Sequence, residues 1–459
     1  MNKFTHKAAR KAAGFAIDKL LNKVDNNREE EMLKLIDIGE KYMDGEDFVD
    51  FGYARDLVKD KNSAVNRYLN RALDEIDPFV AKTTILNLGF EAMLHGTKTM
   101  HEMREKHKCN IPWIILMDPT SACNLKCTGC WAAEYGNRLN LSYDELNRVV
   151  KEGKELGIHF YMFTGGEPLV RKDDIIRLCK ENNDCEFLAF TNATLVDEEF
   201  CKEMKKVGNL ALAISLEGSE EVNDLRRGDG VYTKVMEAMD LLKEYGLVFG
   251  ASICYTSKNY KAVTDPEYVK LMVDKGCRYA MYFHYMPVGN EASVDLLPNP
   301  EQRAYARERI RAMRKLRDGE GIFTMDFQND GEYINGCVAG GKNYFHINAN
   351  GDAEPCVFIH YSDSNIRDYS ILEILKRPLF MAYHDNQPFN ENHLRPCPML
   401  ENPAILQRIV HETDVKSTDL QSPESVEHLC GKCTDYAQKW QKKADEIWYE
   451  KGLGHKIKK

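Results

Sequence analysis

Long apolar runs are missing from this chain. The longest, Ile111 to Met117, falls far short of the roughly 20 residues a bilayer-spanning helix needs. The basic N-terminus is not followed by an apolar stretch of the kind a secretory signal carries. Positive charge is also short. Lys and Arg number 62 against 72 Asp and Glu, a net charge of −10, which argues against a general nucleic-acid binder because that needs a basic footprint. No low-complexity tract is present, and no repeat beyond strand–helix units. Cysteine, by contrast, is in surplus, with 14 residues. Without a secretory signal, these read as thiols and metal ligands in a cytoplasmic protein rather than disulfides.

The length of 459 residues suits two or three domains. Residues 1–108 read as helical. Phe4, Ala8, Ala12, Phe15, Leu20 and Val24 recur at helical spacing, with Lys3, Lys7, Arg10, Lys11, Lys19 and Lys23 between them. Such a basic amphipathic helix can lie on an anionic membrane surface or pack its apolar side on the rest of the chain. The helical pattern continues over Arg28–Met43 and Thr84–Arg104.

From Ile111 strands and helices alternate. Strands are predicted at Ile111–Pro119, His159–Thr164, Glu186–Thr191, Leu210–Leu216, Leu247–Cys254 and Arg278–Met286. Ser142 and Glu145 form a capping box that opens a helix running to about Leu156. Alternation of this kind implies right-handed crossovers and a parallel sheet, with functional residues at the C-terminal strand ends. After about Glu320 the pattern is lost. Phe345–Cys356 reads as a hairpin with an Asn-Gly turn, and a last helix runs from Cys433 to about Lys451.

Cys123, Cys127 and Cys130 follow the first strand with spacing Cys-x3-Cys-x2-Cys. They supply three thiolates and no fourth, whereas a closed zinc or iron–sulfur site takes four protein ligands. Gly165-Gly166-Glu167-Pro168 follows the second strand. Its glycines lack Cβ, so their backbone can approach a ligand closely, and Glu167 is expected to fix the turn.

Together these motifs strongly resemble the radical S-adenosylmethionine (SAM) superfamily over about residues 109–320. The resemblance implies an α/β fold, a partial (β/α)6 barrel. It also implies a catalytic 4Fe-4S cluster on Cys123, Cys127 and Cys130, with SAM chelating the fourth iron. SAM is then cleaved reductively to a 5′-deoxyadenosyl radical that abstracts hydrogen from an unactivated carbon, with electrons from a flavodoxin- or ferredoxin-type donor. By the same resemblance, the backbone at Gly165 and Gly166 meets the SAM amino group. Asn192 in Thr191-Asn192, and Ser215 and Glu217 in Ser215-Leu216-Glu217-Gly218, are the polar contacts. Arg227, a better candidate than Arg226, pairs with the SAM carboxylate, a charge-assisted bond. Pro287-Val288-Gly289 resembles the adenine-contacting segment. One position departs from the pattern: Gly129 stands where many members carry an aromatic residue touching adenine, leaving Trp131 as the candidate ring. His284, Tyr282 and Tyr285 on the sixth strand either line a substrate cavity or pack.

Cys337, Cys356, Cys397, Cys430 and Cys433 form a second set over residues 321–459. It resembles the SPASM or twitch domains that hold auxiliary 4Fe-4S clusters, and five cysteines suit one four-ligand cluster with one to spare. A zinc site is the alternative. The remaining cysteines, among them Cys254, read as core or surface thiols. For the substrate, the basic helical start favours a lipid or isoprenoid chain, with peripheral membrane contact through that helix. A SPASM-type peptide maturase and a non-catalytic electron carrier are the alternatives.

Overall fold

The computed structural model describes residues 3–22, 28–43, 50–314, 321–450 and 452. Lys23, Val24, Glu320 and Lys451, named above at element ends, lie outside them.

The N-terminal region is helical: Lys3–Leu21, Arg28–Met43, Phe51–Lys59 and Ala64–Glu75. Pro78–Thr84 then runs into a helix of wide, i→i+5 turns, Ile85–Gly96, and on through Thr97–His107. Asp50, Ser63 and Asp77 each cap a helix start by accepting backbone N–H bonds. The first helix buries Ala13, Ala16, Ile17 and Leu20. The face expected from sequence is therefore rotated: Ala8, Ala12 and Phe15 are exposed, with Phe15 at 63%. Small alanines tolerate either environment, so the alanine-rich stripe could not fix the buried face.

Eight parallel strands follow in one sheet: β1 Ile114–Met117, β2 Phe160–Phe163, β3 Glu186–Thr191, β4 Leu210–Ser215, β5 Phe249–Tyr255, β6 Tyr279–His284, β7 Phe323–Asp326 and β8 Tyr344–Ile347. β9, Ala353–Glu354, pairs antiparallel with β8. The order is β7-β6-β5-β4-β3-β2-β1-β8-β9. Six of these strands were legible in the sequence. β7 and β8 correct the expectation that the pattern ends near Glu320. Neither is followed by a helix, the signal that marks the other six, and β8 reads from the sequence only as a hairpin arm, yet β7 extends the sheet beyond β6 and β8 lies beside β1.

Both sheet faces are buried, as parallel sheets require. Ile115, Tyr161, Phe187, Leu212, Ile253 and Ala280 pack under the helices. On the other face, Phe160, Leu188, Ala213 and Met281 meet Ala92 and Leu88 of the wide-turn helix. Toward the C-terminal strand ends, Leu116 packs with Tyr344, Phe358 and the cysteine-bearing C-terminal region. That region includes helices Ile371–Ile374, Pro378–Asn386, Pro403–Glu412 and Val426–Glu450. The last starts earlier than the Cys433 expected from sequence, so it carries both Cys430 and Cys433. The Asn-Gly turn joins β8 and β9 as expected: Gly351 has φ +85°, and the Asn348 side chain accepts from the N–H of Asn350 and Asp352. No described helix is long and apolar enough to cross a membrane.

Candidate active site at the C-terminal strand ends

The cysteine loop leaves the end of β1. Cys123 is exposed, and Cys127 and Cys130 are half-buried. The turn after β2 props this loop. Gly166 N–H donates to Thr120 O at 3.0 Å and Glu167 N–H to Ala122 O at 2.8 Å. A Cβ on Gly166 would lie 2.2 Å from Ala122 O. Gly165 has φ +102°, and its Cβ would lie 2.7 Å from Thr120 O. The close approach expected at these glycines is thus made, in the first place, to the chain's own cysteine loop. Glu167 fixes the turn as expected. It is buried, and it accepts from Leu169 N–H at 2.9 Å, Thr191 Oγ1 at 2.7 Å and Asn192 N–H at 2.8 Å. Burial raises its pKa, against those hydrogen bonds. Asn192 reaches back to the loop, its Nδ2 donating to Asn124 Oδ1 at 2.9 Å.

Glu217, after β4, is fully buried and meets two cations. Arg226 Nη1 donates to Oε1 at 2.6 Å and Arg227 Nη2 at 2.7 Å, while Arg227 Nε holds Oε2. Burial opposes its charge, but Arg227 and Arg226 hold the carboxyl below the usual range. Arg227 Nη1 also stands 3.8 Å from Cys127 Sγ. Arg226 Nε donates to Thr128 O at 3.2 Å, inside the cysteine loop. Two cations against one carboxylate leave a positive excess beside Cys127, which opposes burial, the larger effect, and burial keeps the free thiol's pKa raised. Ser215 ends β4, half-buried and in register with Ser252.

Gly129 has a structural counterpart. A Cβ there would lie 2.8 Å from the Tyr285 ring. The aromatic wall at this point therefore comes from Tyr285, just past β6, whose buried hydroxyl has no hydrogen-bond partner among the described residues. Trp131 turns elsewhere. Its ring packs edge-on against Tyr135, His346, Phe358 and His360. Tyr282 donates to Val263 O in the helix-side core, and His284 is bonded to Tyr285 O and the Tyr436 hydroxyl. Of the three β6 candidates, Tyr285 alone stands at the cysteine loop. Gly289 is held by the C-terminal region, its N–H on Glu424 and its carbonyl on Lys432.

A buried polar network beneath Trp131 was not expected from the sequence. His346 bonds Asp118 through Nε2 at 2.9 Å and Glu354 through Nδ1 at 2.6 Å. Glu354 also accepts from the Tyr135 hydroxyl at 2.7 Å and Asn348 Nδ2 at 2.9 Å. Asp118 follows β1, and a Cβ on Gly165 would lie 2.8 Å from it. Burial opposes the imidazolium, but Asp118 and Glu354 raise His346 to about 10. The available signal was the hairpin read at Phe345–Cys356, which holds His346 and Glu354; its pairing beside β1, which sets His346 opposite Leu116, is a tertiary fact.

Cys337, Cys356, Cys397, Cys430 and Cys433 all join one apolar cluster. The Tyr344 hydroxyl lies 2.8 Å from Cys356 Sγ, and Cys430 and Cys433 are one turn apart on the last helix. Burial pushes the free thiols of Cys337, Cys430 and Cys433 up to about 12. A tetrahedral zinc, with Zn–S near 2.3 Å, draws its sulfurs to about 3.8 Å from one another. Among the described residues, no three cysteine sulfurs gather within 4.8 Å of one another, in either set. The thiol donors of both sets fit an iron–sulfur cluster.

Residues 117–272 match the family model of the radical SAM superfamily. The chain contains a radical SAM domain. Proteins of this superfamily use a 4Fe-4S cluster and SAM. Among curated relatives, the chain is 26% identical over 233 residues to Fe-coproporphyrin III synthase of Methanosarcina barkeri, covering 48% of this chain and 57% of that protein. It therefore spans less than two thirds of that relative. It is 25% identical over 295 residues to the PqqA peptide cyclase of Granulibacter bethesdensis, covering 59% and 76%. The structure of Streptococcus suis SuiB bound to SAM superposes with TM-score 0.57 at 18% identity, over 74% of this chain and 82% of that one. At that identity the likeness concerns the fold.

Proposed function

We propose that this chain is a radical SAM enzyme whose cluster sits on Cys123, Cys127 and Cys130, with an auxiliary 4Fe-4S cluster in the C-terminal region. One observation carries the reading: three thiols on one solvent-reaching loop, braced by the Gly165-Gly166-Glu167 turn, with Arg226 and Arg227 supplying positive charge beside Cys127. When bound, the cluster supplies the electron that splits SAM into methionine and a 5′-deoxyadenosyl radical able to take hydrogen from carbon.

The chain's own residues bind and orient. Glu167 and Asn192 hold the loop in place. Arg227 lies at Cys127 already paired with Glu217, so its second duty toward a SAM carboxylate would use donors beyond that pair. Tyr285 is the adenine-side ring we assign, in place of Trp131. Exposed Cys123 gives a flavodoxin- or ferredoxin-type donor a short path to the cluster. Cys337, Cys356, Cys397, Cys430 and Cys433 supply the four ligands of the auxiliary cluster and one spare.

For the substrate we favour a peptide, supported by the similarity to a PqqA peptide cyclase. A lipid is the second reading. The stripe Ala8, Ala12 and Phe15 lies exposed between the exposed Lys7, Lys11 and Lys19, which suits an anionic surface.

The test is anaerobic reconstitution followed by a 5′-deoxyadenosine assay with SAM and dithionite. Product is expected. If no product forms and the fully loaded protein does not bind SAM by calorimetry, the carrier reading replaces this one. Flotation with phosphatidylserine vesicles decides the second reading. Binding that is lost on deleting residues 1–24 supports a lipid, and absence of binding supports a peptide.

A further inference from the structure

Far from the cysteines, the first helix meets the wide-turn helix Ile85–Gly96. His6 comes from the first, and Glu91 and His95 from the second. Wide turns bring residues four apart close to one face, and such turns are frequent at functional sites. One ligand atom from each of His6, Glu91 and His95 lies within 4.8 Å of the others, the only such trio of His, Cys, Asp and Glu among the described residues. His6 Nε2 is 2.9 Å from Glu91 Oε2, and the two imidazole rings are 4.2 Å apart. Glu91 is buried, with its side chain 2% exposed.

The surroundings fix the orientation of these groups. Arg10 Nη1 donates to Glu91 Oε1 at 2.5 Å and Nη2 to Asn87 Oδ1 at 2.9 Å. Asn87 in turn donates to Cys185 O and Asn183 O, at the start of β3. The Tyr42 hydroxyl is 2.9 Å from His95 Nδ1. With the Nδ1 proton donated to that oxygen, Nε2 presents a lone pair, the usual way a neighbour orients a ligating histidine. His6 then faces Glu91 Oε2, and the His95 ring beside it brings a nitrogen within 4.8 Å of the same carboxylate. Two protonated rings at this distance repel, and two neutral rings leave the carboxylate with only Arg10 as its cation. A bound cation answers all three groups at once.

We propose that His6, Glu91 and His95 bind a divalent transition-metal ion of the zinc or iron(II) class, which staples the first helix to the wide-turn helix packed on the sheet. Two imidazole nitrogens and one carboxylate oxygen are donors that suit these ions. His6 and His95 are only half-buried, so water has access to a fourth position.

The test adds zinc(II) to the anaerobically reconstituted protein, whose cluster-ligating cysteines are then occupied, removes the excess by desalting, and counts zinc and iron together. The wild type is compared with His6→Gln and His95→Gln, whose amides keep a hydrogen-bonding group but are poor ligands. The proposal expects the wild type to retain one zinc more than either variant at equal iron, and zinc to raise the melting temperature of the wild type alone. His6→Gln lies at the edge of the fold and carries the test if His95→Gln does not fold. Equal zinc in the wild type and the folded variants, whether bound or absent, overturns the site.

Discussion

Cys123, Cys127 and Cys130 lie within one short loop that solvent reaches, whereas Cys337, Cys356, Cys397, Cys430 and Cys433 come from separate segments and are wrapped in apolar side chains. The first set is local: its spacing alone brings the thiols together, and the fold's task is to brace the loop from behind. The second set is assembled, since a hairpin, a loop and the last helix must all dock before it exists. An open loop with a positive side suits a cofactor that must meet SAM. An enclosed set suits a cluster that only passes electrons or holds the domain together. The Asp118–His346–Glu354 network joins the two, because Asp118 leads into the first loop while Glu354 stands two residues before Cys356.

Substitutions can separate the regions. The Cys430→Ala, Cys433→Ala double variant leaves three of the five cysteines and is expected to remove the iron of the second set, about half the total if each set holds four irons. SAM cleavage by the first set should survive within a few-fold. Loss of cleavage in a variant that keeps its first cluster would show that the two regions are not separable.

Gly166→Ala strikes the brace instead. Its Cβ would meet the Ala122 backbone, which cannot move aside like a side-chain tip. We expect a cost of about 2 kcal/mol, as for other overpacked sites, with poor cluster assembly at the first set and normal assembly at the second. Denaturation by urea together with iron counts reads both.

His346→Gln gives the smallest effect and tests the junction through pH. The His346 pKa is raised from 6.5 to about 10 by Asp118 and Glu354. The stability it contributes is therefore complete below about pH 6.5 and lost as pH rises through about 10. The gap in stability between wild type and variant should be widest near neutrality and close at high pH. A gap that widens with pH would contradict a charged His346.

The legible parts of this molecule are those with local signals. Cys-x3-Cys-x2-Cys and the Gly-Gly-Glu-Pro turn needed no tertiary context, and the Ser142 capping box forms in full. Six strands of the sheet stood out because each is followed by an amphipathic helix. No helix follows β7 or β8, so the extension of the sheet past β6 and beside β1 was hidden, although β8 itself reads as a hairpin arm. With its pairing beside β1 hidden, the His346 network was hidden too. Trp131 shows the limit at single residues. Adjacency to Cys130 suggested a ring over the cofactor, but the direction of its side chain depends on an aromatic pocket that includes Phe358 and His360, far away in sequence. Tyr285 was named from its strand, but its place beside Gly129 is a tertiary fact.

The central claim is that the first set alone carries SAM chemistry. It is tested most directly by reconstituting the Cys123→Ala, Cys127→Ala, Cys130→Ala triple variant anaerobically beside the wild type, counting iron and assaying 5′-deoxyadenosine on the same samples. The account predicts that the triple variant keeps about four irons, folds normally and makes no 5′-deoxyadenosine, while the wild type does. 5′-Deoxyadenosine from the triple variant at wild-type rates would contradict it.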